Sequence, residues 1–181
     1  MNASLAEKLI KNCSSKQTRW DKETANTEKM EAKYAAFTAL EGVSLNYGSS
    51  VLDIGGEEFY QYLFDAYELE AINLPDDMHD MEYDNEFDAV IAMHVLEHSP
   101  FPLYVLALIH QALKPSGWLY VALPTHTTDA FAEIDQHFTI MPAKMWERLF
   151  NDTGFVVIEH SLGKFGNTVD WVEERFLCQR N

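Results

Sequence analysis

Short apolar runs alternate with amphipathic stretches from about residue 50 to the end of the chain. The apolar runs have the length of buried strands, and the amphipathic stretches have helical spacing. The pattern predicts strands at 51–54, 69–74, 87–93, 118–123, 155–160 and 175–179, and helices at 58–67, 102–113 and 142–152. Near-continuous apolar strands separated by helices indicate a parallel sheet covered on both faces. We therefore predict a doubly wound α/β fold.

The beginning of the chain has a different character. It is polar and helix-prone, and its apolar residues between Met30 and Leu40 recur at helical spacing. Gly42 then interrupts the helical pattern. We predict an N-terminal helical lead-in over residues 1–48 that packs on a single α/β domain over residues 49–181.

Composition narrows the class of protein and its partners. The 181 residues are 47% hydrophobic, which is enough for a packed core and too apolar for a disordered chain. The formal net charge of −16 argues against nucleic acid and anionic membranes as partners. The two cysteines, Cys13 and Cys178, form neither a disulfide framework nor a zinc motif, and the start lacks a signal-peptide pattern. We predict a cytoplasmic protein.

In a doubly wound sheet, ligands bind beyond the carboxyl ends of the strands, near the point where the strand order reverses. The first segment at that edge follows the first strand in the sequence VLDIGG. Its glycine pair permits a positive φ and close approach of a ligand, and Asp53 can hold an ammonium group or order the turn. Alone, this turn is either a binding site for a ligand such as an amino acid or a tight connection. It lacks the GxGxxG and GxxxxGK[ST] patterns of nucleotide-binding turns.

A longer pattern spans residues 77–124. It consists of an acidic loop, the strand FDAVIAM, VLEH with a nearby proline, a helix, LKPSG and a strand that ends in proline. These segments, in this order, closely resemble the class I methyltransferases that depend on S-adenosylmethionine, specifically the broad small-molecule group called type 11. His137, the helix after it and the sequence GFVV extend the resemblance to about residue 160. It implies a Rossmann-like, mostly parallel sheet with an antiparallel last strand.

The resemblance also implies a cofactor, S-adenosylmethionine, with S-adenosylhomocysteine as the product. Asp53, Gly55 and Gly56 match the motif that holds the methionine part of the cofactor. The position that binds the ribose hydroxyls falls near Asn73, where an amide replaces the usual acid. An amide still forms hydrogen bonds to a hydroxyl but loses the charge-assisted, bidentate option.

Three further positions complete the implied cofactor site. Asp77 and Met78 match the loop positions beside the adenine ring. His94, directly after the strand FDAVIAM, matches the position that borders the sulfonium and the substrate.

Two features depart from the family pattern. The family turn reads GxGxG, whereas Glu57 and Phe59 occupy its second and third glycine positions here. The chain between this turn and FDAVIAM is also shorter by about one helix and one strand. We therefore expect six strands where the family has seven, and both departures bear on how the cofactor is held.

Several histidines are candidates for chemistry. His94 and His137 are our candidate catalytic residues, with His137 as a possible general base, although each could instead have a structural role. For Glu97 and His98 we expect a structural role, ordering the loop and capping the following helix. His126 and His137 lie near three acids, but their spacing fits no compact ligand motif, so we predict no metal site.

Taken together, the motifs predict an enzyme that transfers a methyl group from S-adenosylmethionine to a small-molecule or metabolite acceptor by in-line displacement. The alternative is a degenerate member that keeps the fold but serves as a binding or scaffolding module. The missing glycines, Asn73 and the missing unit favour the alternative, whereas the intact VLEH-to-LKPSG block favours the enzyme. Neither the acceptor nor the oligomeric state follows from these motifs.

Overall fold

A six-stranded open sheet forms the centre of the part of the chain that the structure describes. The structure, a computed structural model, describes residues 35, 36, 38–40, 42, 43, 45, 48–55, 68–72, 78–125, 136–164 and 172–181. Its strands are β1 (Ser50–Ile54), β2 (Glu68–Ile72), β3 (Phe87–Met93), β4 (Leu113–Pro124), β5 (Phe155–Lys164) and β6 (Val172–Arg180).

The strand order is β2-β1-β3-β4-β6-β5. β2, β1, β3 and β4 are parallel to one another, whereas β6 is antiparallel to both β4 and β5. The predicted Rossmann-like sheet and its antiparallel last strand are therefore confirmed, and the described residues contribute six strands to it.

Two helices pack on one face of this sheet. Helix α1 (Pro102–Ala112) begins with proline in its first turn, where the missing N–H costs no hydrogen bond. Helix α2 (Ala143–Asp152) buries Trp146 and Phe150, which lie one turn apart on the same side. Neither helix, nor any other helical stretch among the described residues, is long and apolar enough to cross a membrane. The predicted helix at 58–67 lies outside the described residues.

The sheet has a hydrophobic core on each face. The larger core lies under α1 and α2 and includes Val90, Leu119 and Phe176. The smaller core lies on the opposite face, where Ala36 and Leu40 of the lead-in are completely buried against the sheet. Residues 35, 36 and 38–40 are helical as predicted, and residues 1–34 lie outside the described part. The domain boundaries stay a prediction.

β4 begins five residues earlier than predicted. The sequence KPSG predicts a turn, but Leu113 already pairs with Phe87, and a register shift separates that pair from Ala89 and Trp118. The irregular stretch includes Ser116 at a φ of 62°, so the turn chemistry is present inside the strand. A second irregularity, in β5, lies between Val157 and Glu159.

Gly154 connects α2 to β5 at a φ of 89°. A Cβ at this position would approach Nε2 of His110 to 2.8 Å. We expect Gly154→Ala to lower the free energy of unfolding by about 1–3 kcal/mol, because it adds strain at positive φ and a clash. Gly48→Ala is the control, because Gly48 has a φ of 82° but a Cβ there meets nothing within 4 Å. Urea denaturation of both variants measures the difference, and equal losses would contradict the clash.

Candidate active site

The carboxyl ends of β1 and β3, which are neighbours in the sheet, carry two of the predicted site residues. Asp53 near the end of β1 is only 1% exposed, and Gly55 directly after the strand has a φ of 81°. That φ favours glycine, because a side chain is strained in the left-handed region. His94 follows β3 and is itself in the left-handed region, with a φ of 51°. The turn after β1 has the positive φ that its glycine pair predicts, whereas the left-handed conformation of His94 was not predicted.

His94 is held between two buried carboxylates. Its Nε2 lies 2.7 Å from Oε2 of Glu173, and its Nδ1 lies 3.4 Å from Oε1 of Glu97. Both glutamate side chains are fully buried, whereas the His94 side chain is 19% exposed. The backbone N–H of His94 also donates to the carbonyl oxygen of Ala122 in β4. The ring is therefore fixed by contacts on three sides.

The two carboxylates determine the protonation state of the His94 ring. Burial alone would lower the pKa of His94, but the hydrogen bond to Glu173 and the charges of both carboxylates outweigh it and raise the pKa to about 9. Burial would raise the pKa of both Glu97 and Glu173, but the positive charge of His94, together with its hydrogen bond to Glu173, lowers the pKa of both carboxylates instead. His94 is therefore an imidazolium at neutral pH, paired with two carboxylates.

Arg175 supplies the second positive charge of this cluster. Its Nε donates to Oε1 of Glu173 at 2.5 Å, so one buried carboxylate bridges Arg175 and His94. The guanidinium lies across Gly163 on the edge strand β5, where an added Cβ would overlap it. Both cations contact Glu173, so its buried charge is compensated from two sides, whereas Glu97 faces only one of the two, the ring of His94.

Glu97 also joins the site to the segment that precedes α2. Its carbonyl oxygen accepts hydrogen bonds from the backbone N–H groups of Phe138 and Thr139. The hydroxyl of Thr139 donates to the carbonyl oxygen of Ser99. The predicted role of Glu97 in ordering the loop fits these bonds. The predicted capping role is wrong, because the N-terminus of α1 has no side-chain cap.

His137, the other candidate catalytic residue, lies beside Glu97 rather than beside His94. Its Nε2 is 4.0 Å from Oε1 of Glu97, and its side chain is 6% exposed. The ring packs edge-on against the ring of His98, with 4.9 Å between centroids. The structure thus brings His94, His98 and His137 around one carboxylate.

Sequence reasoning missed Glu173 and Arg175. Both lie in the last strand, 79 positions or more from His94, so no local motif connects them with it. The available signal was the pair Glu173 and Glu174 at the start of an otherwise apolar strand, since two adjacent acids cannot both face solvent in a central strand. Glu173 is completely buried and Glu174 is 6% exposed.

Part of the implied cofactor site lies outside the described residues, namely Gly56, Asn73 and Asp77, with Glu57 and Phe59 of the degenerate turn. Met78 is described, and it is completely buried in the larger core cluster. A contact between Met78 and an adenine ring stays a prediction.

A cavity of about 320 Å³ lies on the lead-in face of the sheet. Arg175, Tyr120 and Ser161 contribute to its walls, together with Thr38 of the lead-in. Its volume is at the lower end of the range for small-molecule pockets. Arg175 is therefore shared between this cavity and the charged cluster around His94.

Comparison with known proteins agrees with the class that the fold and the site define. The model of a methyltransferase domain family matches residues 27–160, which is more than half of the chain. The chain belongs to this methyltransferase domain family. The class recognised from the sequence, the class I methyltransferases that depend on S-adenosylmethionine, is thereby confirmed.

Two solved structures share the fold over most of their length. The N1-methyltransferase of Burkholderia thailandensis that acts on 1,6-didemethyltoxoflavin, solved with that compound and S-adenosylhomocysteine, is 14% identical with a TM-score of 0.68, over 99% of this chain and 88% of that one. A complex of a methyltransferase activator of Haloferax volcanii with a methyltransferase gives 16% identity and a TM-score of 0.66, over 86% of this chain and 93% of that one. At these identities the likeness shows the fold.

A short stretch is closer in sequence to a curated relative. The ubiquinone biosynthesis O-methyltransferase of Xanthomonas campestris pv. campestris is 41% identical over 51 residues, which is 28% of this chain. The match spans only 21% of that relative's length.

Proposed function

We propose that the protein transfers a methyl group from S-adenosylmethionine to a small-molecule acceptor. The observation that carries the proposal is the turn from Asp53 to Gly55 at the end of β1, next to the end of β3, in a chain of the methyltransferase family. The buried carboxylate of Asp53 fits an ammonium group, and the positive φ of Gly55 lets the backbone turn closely around a ligand. Among the described residues, these two fit the amino-acid part of the cofactor.

The bound cofactor supplies an electrophilic methyl carbon on a positively charged sulfur, which an acceptor atom displaces in line. The chain's contribution is positioning and exclusion of water, which together can lower a barrier by roughly 7–11 kcal/mol. Asp53 and Gly55 fix one end of the site, and the rigid His94 forms a wall beside it.

We propose that His94 positions and shapes the site rather than removing a proton. Both of its ring nitrogens face carboxylates, and its pKa of about 9 keeps it protonated at neutral pH. Nε2 of His137 likewise faces Glu97. Neither His94 nor His137 is therefore proposed as the general base for the acceptor.

Two features support a small acceptor. The cavity of about 320 Å³ beside Arg175 has the volume of a pocket for a small molecule. The net charge of −16 disfavours nucleic acid. Residues 124–141, which we predict to help build the acceptor site, are described only in part. We also propose a cytoplasmic location for the protein.

The second candidate is a methyltransferase-like binding or scaffolding module without catalysis. Glu57 and Phe59 at the glycine positions of the turn favour it, because acidic and bulky side chains there crowd a ligand at the start of the following helix.

Isothermal titration of the purified protein with S-adenosylhomocysteine separates the two candidates. We expect one site with a Kd below about 100 µM, within the range in which enzymes bind substrates and cofactors. Nicotinamide dinucleotides are the control ligands and are expected to give no heat. Absence of binding at millimolar S-adenosylhomocysteine would overturn the enzyme proposal and leave the binding module.

A further inference from the structure

We propose that Glu97, His98 and His137 bind a divalent transition-metal ion, with Zn²⁺ as the best fit. This site is distinct from the proposed cofactor turn at Asp53 and does not depend on methyl transfer. From sequence spacing we predicted no metal site, because His137 was considered only with residues near it in the chain, where no ligand motif is present.

The three side chains converge from two segments. One ligand atom from each of Glu97, His98 and His137 lies within 4.8 Å of the other two. Ligand atoms around a tetrahedral zinc ion lie roughly 3.3–3.5 Å apart. The side chains therefore need to close by about an ångström, which small rotations of the two imidazole rings provide.

The carboxylate of Glu97 is the strongest sign of a missing ligand. It is completely buried, and neither of its oxygens has a hydrogen-bond partner among the described residues. Its nearest ion-pair contact is Nδ1 of His94 at 3.4 Å. A buried carboxylate without hydrogen bonds is costly unless a cation satisfies its lone pairs. Since a carboxylate offers about four lone-pair sites, Glu97 can keep the contact with His94 and bind a metal ion with its remaining lone pairs.

The orientation of His98 prepares it as a ligand. Its Nδ1 lies 3.1 Å from the carbonyl oxygen of Gln136, and a carbonyl only accepts, so Nδ1 carries the proton. In the neutral ring, Nε2 is then left with the lone pair that binds metal. Histidines that bind a metal ion usually donate their other ring N–H to a carboxylate, a backbone carbonyl or water, as His98 does here.

The donor set selects the kind of metal. Two imidazoles and one carboxylate suit Zn²⁺ and related transition metals, whereas Mg²⁺ and Ca²⁺ prefer oxygen donors throughout. Three protein ligands also leave a fourth position for water or another small ligand. The metal would fasten the turn at 96–98 to the segment at 136–139, reinforcing the backbone hydrogen bonds from Phe138 and Thr139 to Glu97.

The test uses the full chain, freed of metal with a chelator and then titrated with Zn²⁺ by calorimetry and with Co²⁺ by visible absorption. We expect one ion per chain, Co²⁺ bands typical of a tetrahedral site, and a higher unfolding temperature with Zn²⁺. Glu97→Gln, His98→Asn and His137→Asn are each expected to weaken binding at least 100-fold. Circular dichroism and the unfolding transition select the variants that remain folded.

His160→Asn is the matched control. His160 also faces two carboxylates, with its Nε2 2.6 Å from Oε2 of Glu174 and its Nδ1 3.9 Å from Oε1 of Glu147. Binding of Zn²⁺ is expected to be unchanged in this variant. The proposal is overturned if the wild-type protein binds Zn²⁺ no more tightly than millimolar, or if the folded ligand variants bind it as tightly as the wild type. S-adenosylhomocysteine binding, measured in parallel, reports on the methyltransferase proposal separately.

Discussion

Asp53→Asn is expected to weaken binding of S-adenosylhomocysteine by roughly 10- to 100-fold. The asparagine keeps the shape of the buried side chain but removes the charge that holds the ligand's ammonium group. Hydrogen bonds to charged groups contribute about 1.5–3 kcal/mol, and each 1.4 kcal/mol is tenfold in affinity. Isothermal titration of the variant and the wild type at the same salt concentration measures the change.

The control for this variant is Asp88→Asn. Asp88 lies near the amino end of β3, where its Oδ2 accepts hydrogen bonds from the Ser50 backbone N–H and from Nζ of Lys114. It is thus at the opposite end of the sheet from the proposed site, and affinity for S-adenosylhomocysteine is expected to stay within about twofold. An equal loss in both variants would show a general effect on folding and would argue against a role of Asp53 in binding.

Glu173→Gln is expected to lower the free energy of unfolding by about 3 kcal/mol. The substitution removes the buried countercharge that His94 and Arg175 share, and breaking a buried ion pair from one side leaves the partner charge uncompensated. For a domain of this size, 1 kcal/mol lowers the Tm by about 2–4 °C, so we expect a decrease of roughly 6–12 °C. Urea denaturation and a thermal melt measure the two quantities.

Glu147→Gln provides the comparison for Glu173→Gln. Glu147 also faces a histidine, with its Oε1 3.9 Å from Nδ1 of His160, but its side chain is 40% exposed. Exposed pairs contribute little, so this variant is expected to change the stability by less than about 0.5 kcal/mol. Similar losses of unfolding free energy in the two variants would mean that burial does not strengthen the ion pairs of Glu173.

The strands were predictable where the chain is uniformly apolar. The strand Phe87–Met93 matches its prediction at both ends, because all of its residues except Asp88 are apolar and polar residues flank it. β6 was predicted too short, since Glu173 and Glu174 follow its first residue, and adjacent charged residues indicate a loop when only neighbouring positions are considered. The hydrogen-bond partners of these acids, His94 and His160, are supplied by another strand and by the turn after β3.

The candidate site was predictable in part for the same reason. The rule that ligands bind at the carboxyl ends of parallel strands located Asp53, Gly55 and His94 from the order of the strands alone. The convergence of His98 and His137 on Glu97 depends on hydrogen bonds from Phe138 and Thr139 to the carbonyl oxygen of Glu97. The periodicity of apolar residues along the chain does not reveal these hydrogen bonds, because they join segments about 40 positions apart.

Gly163 and Arg175 have a consequence for how the protein can vary in evolution. Because the guanidinium lies across Gly163, a side chain at 163 would require the guanidinium to move, and this movement would alter its contact with Glu173. We therefore expect a larger residue at 163 to be accepted most easily together with a smaller residue at 175. Through Arg175, the edge strand β5 is in this way coupled to the charged cluster at the candidate active site.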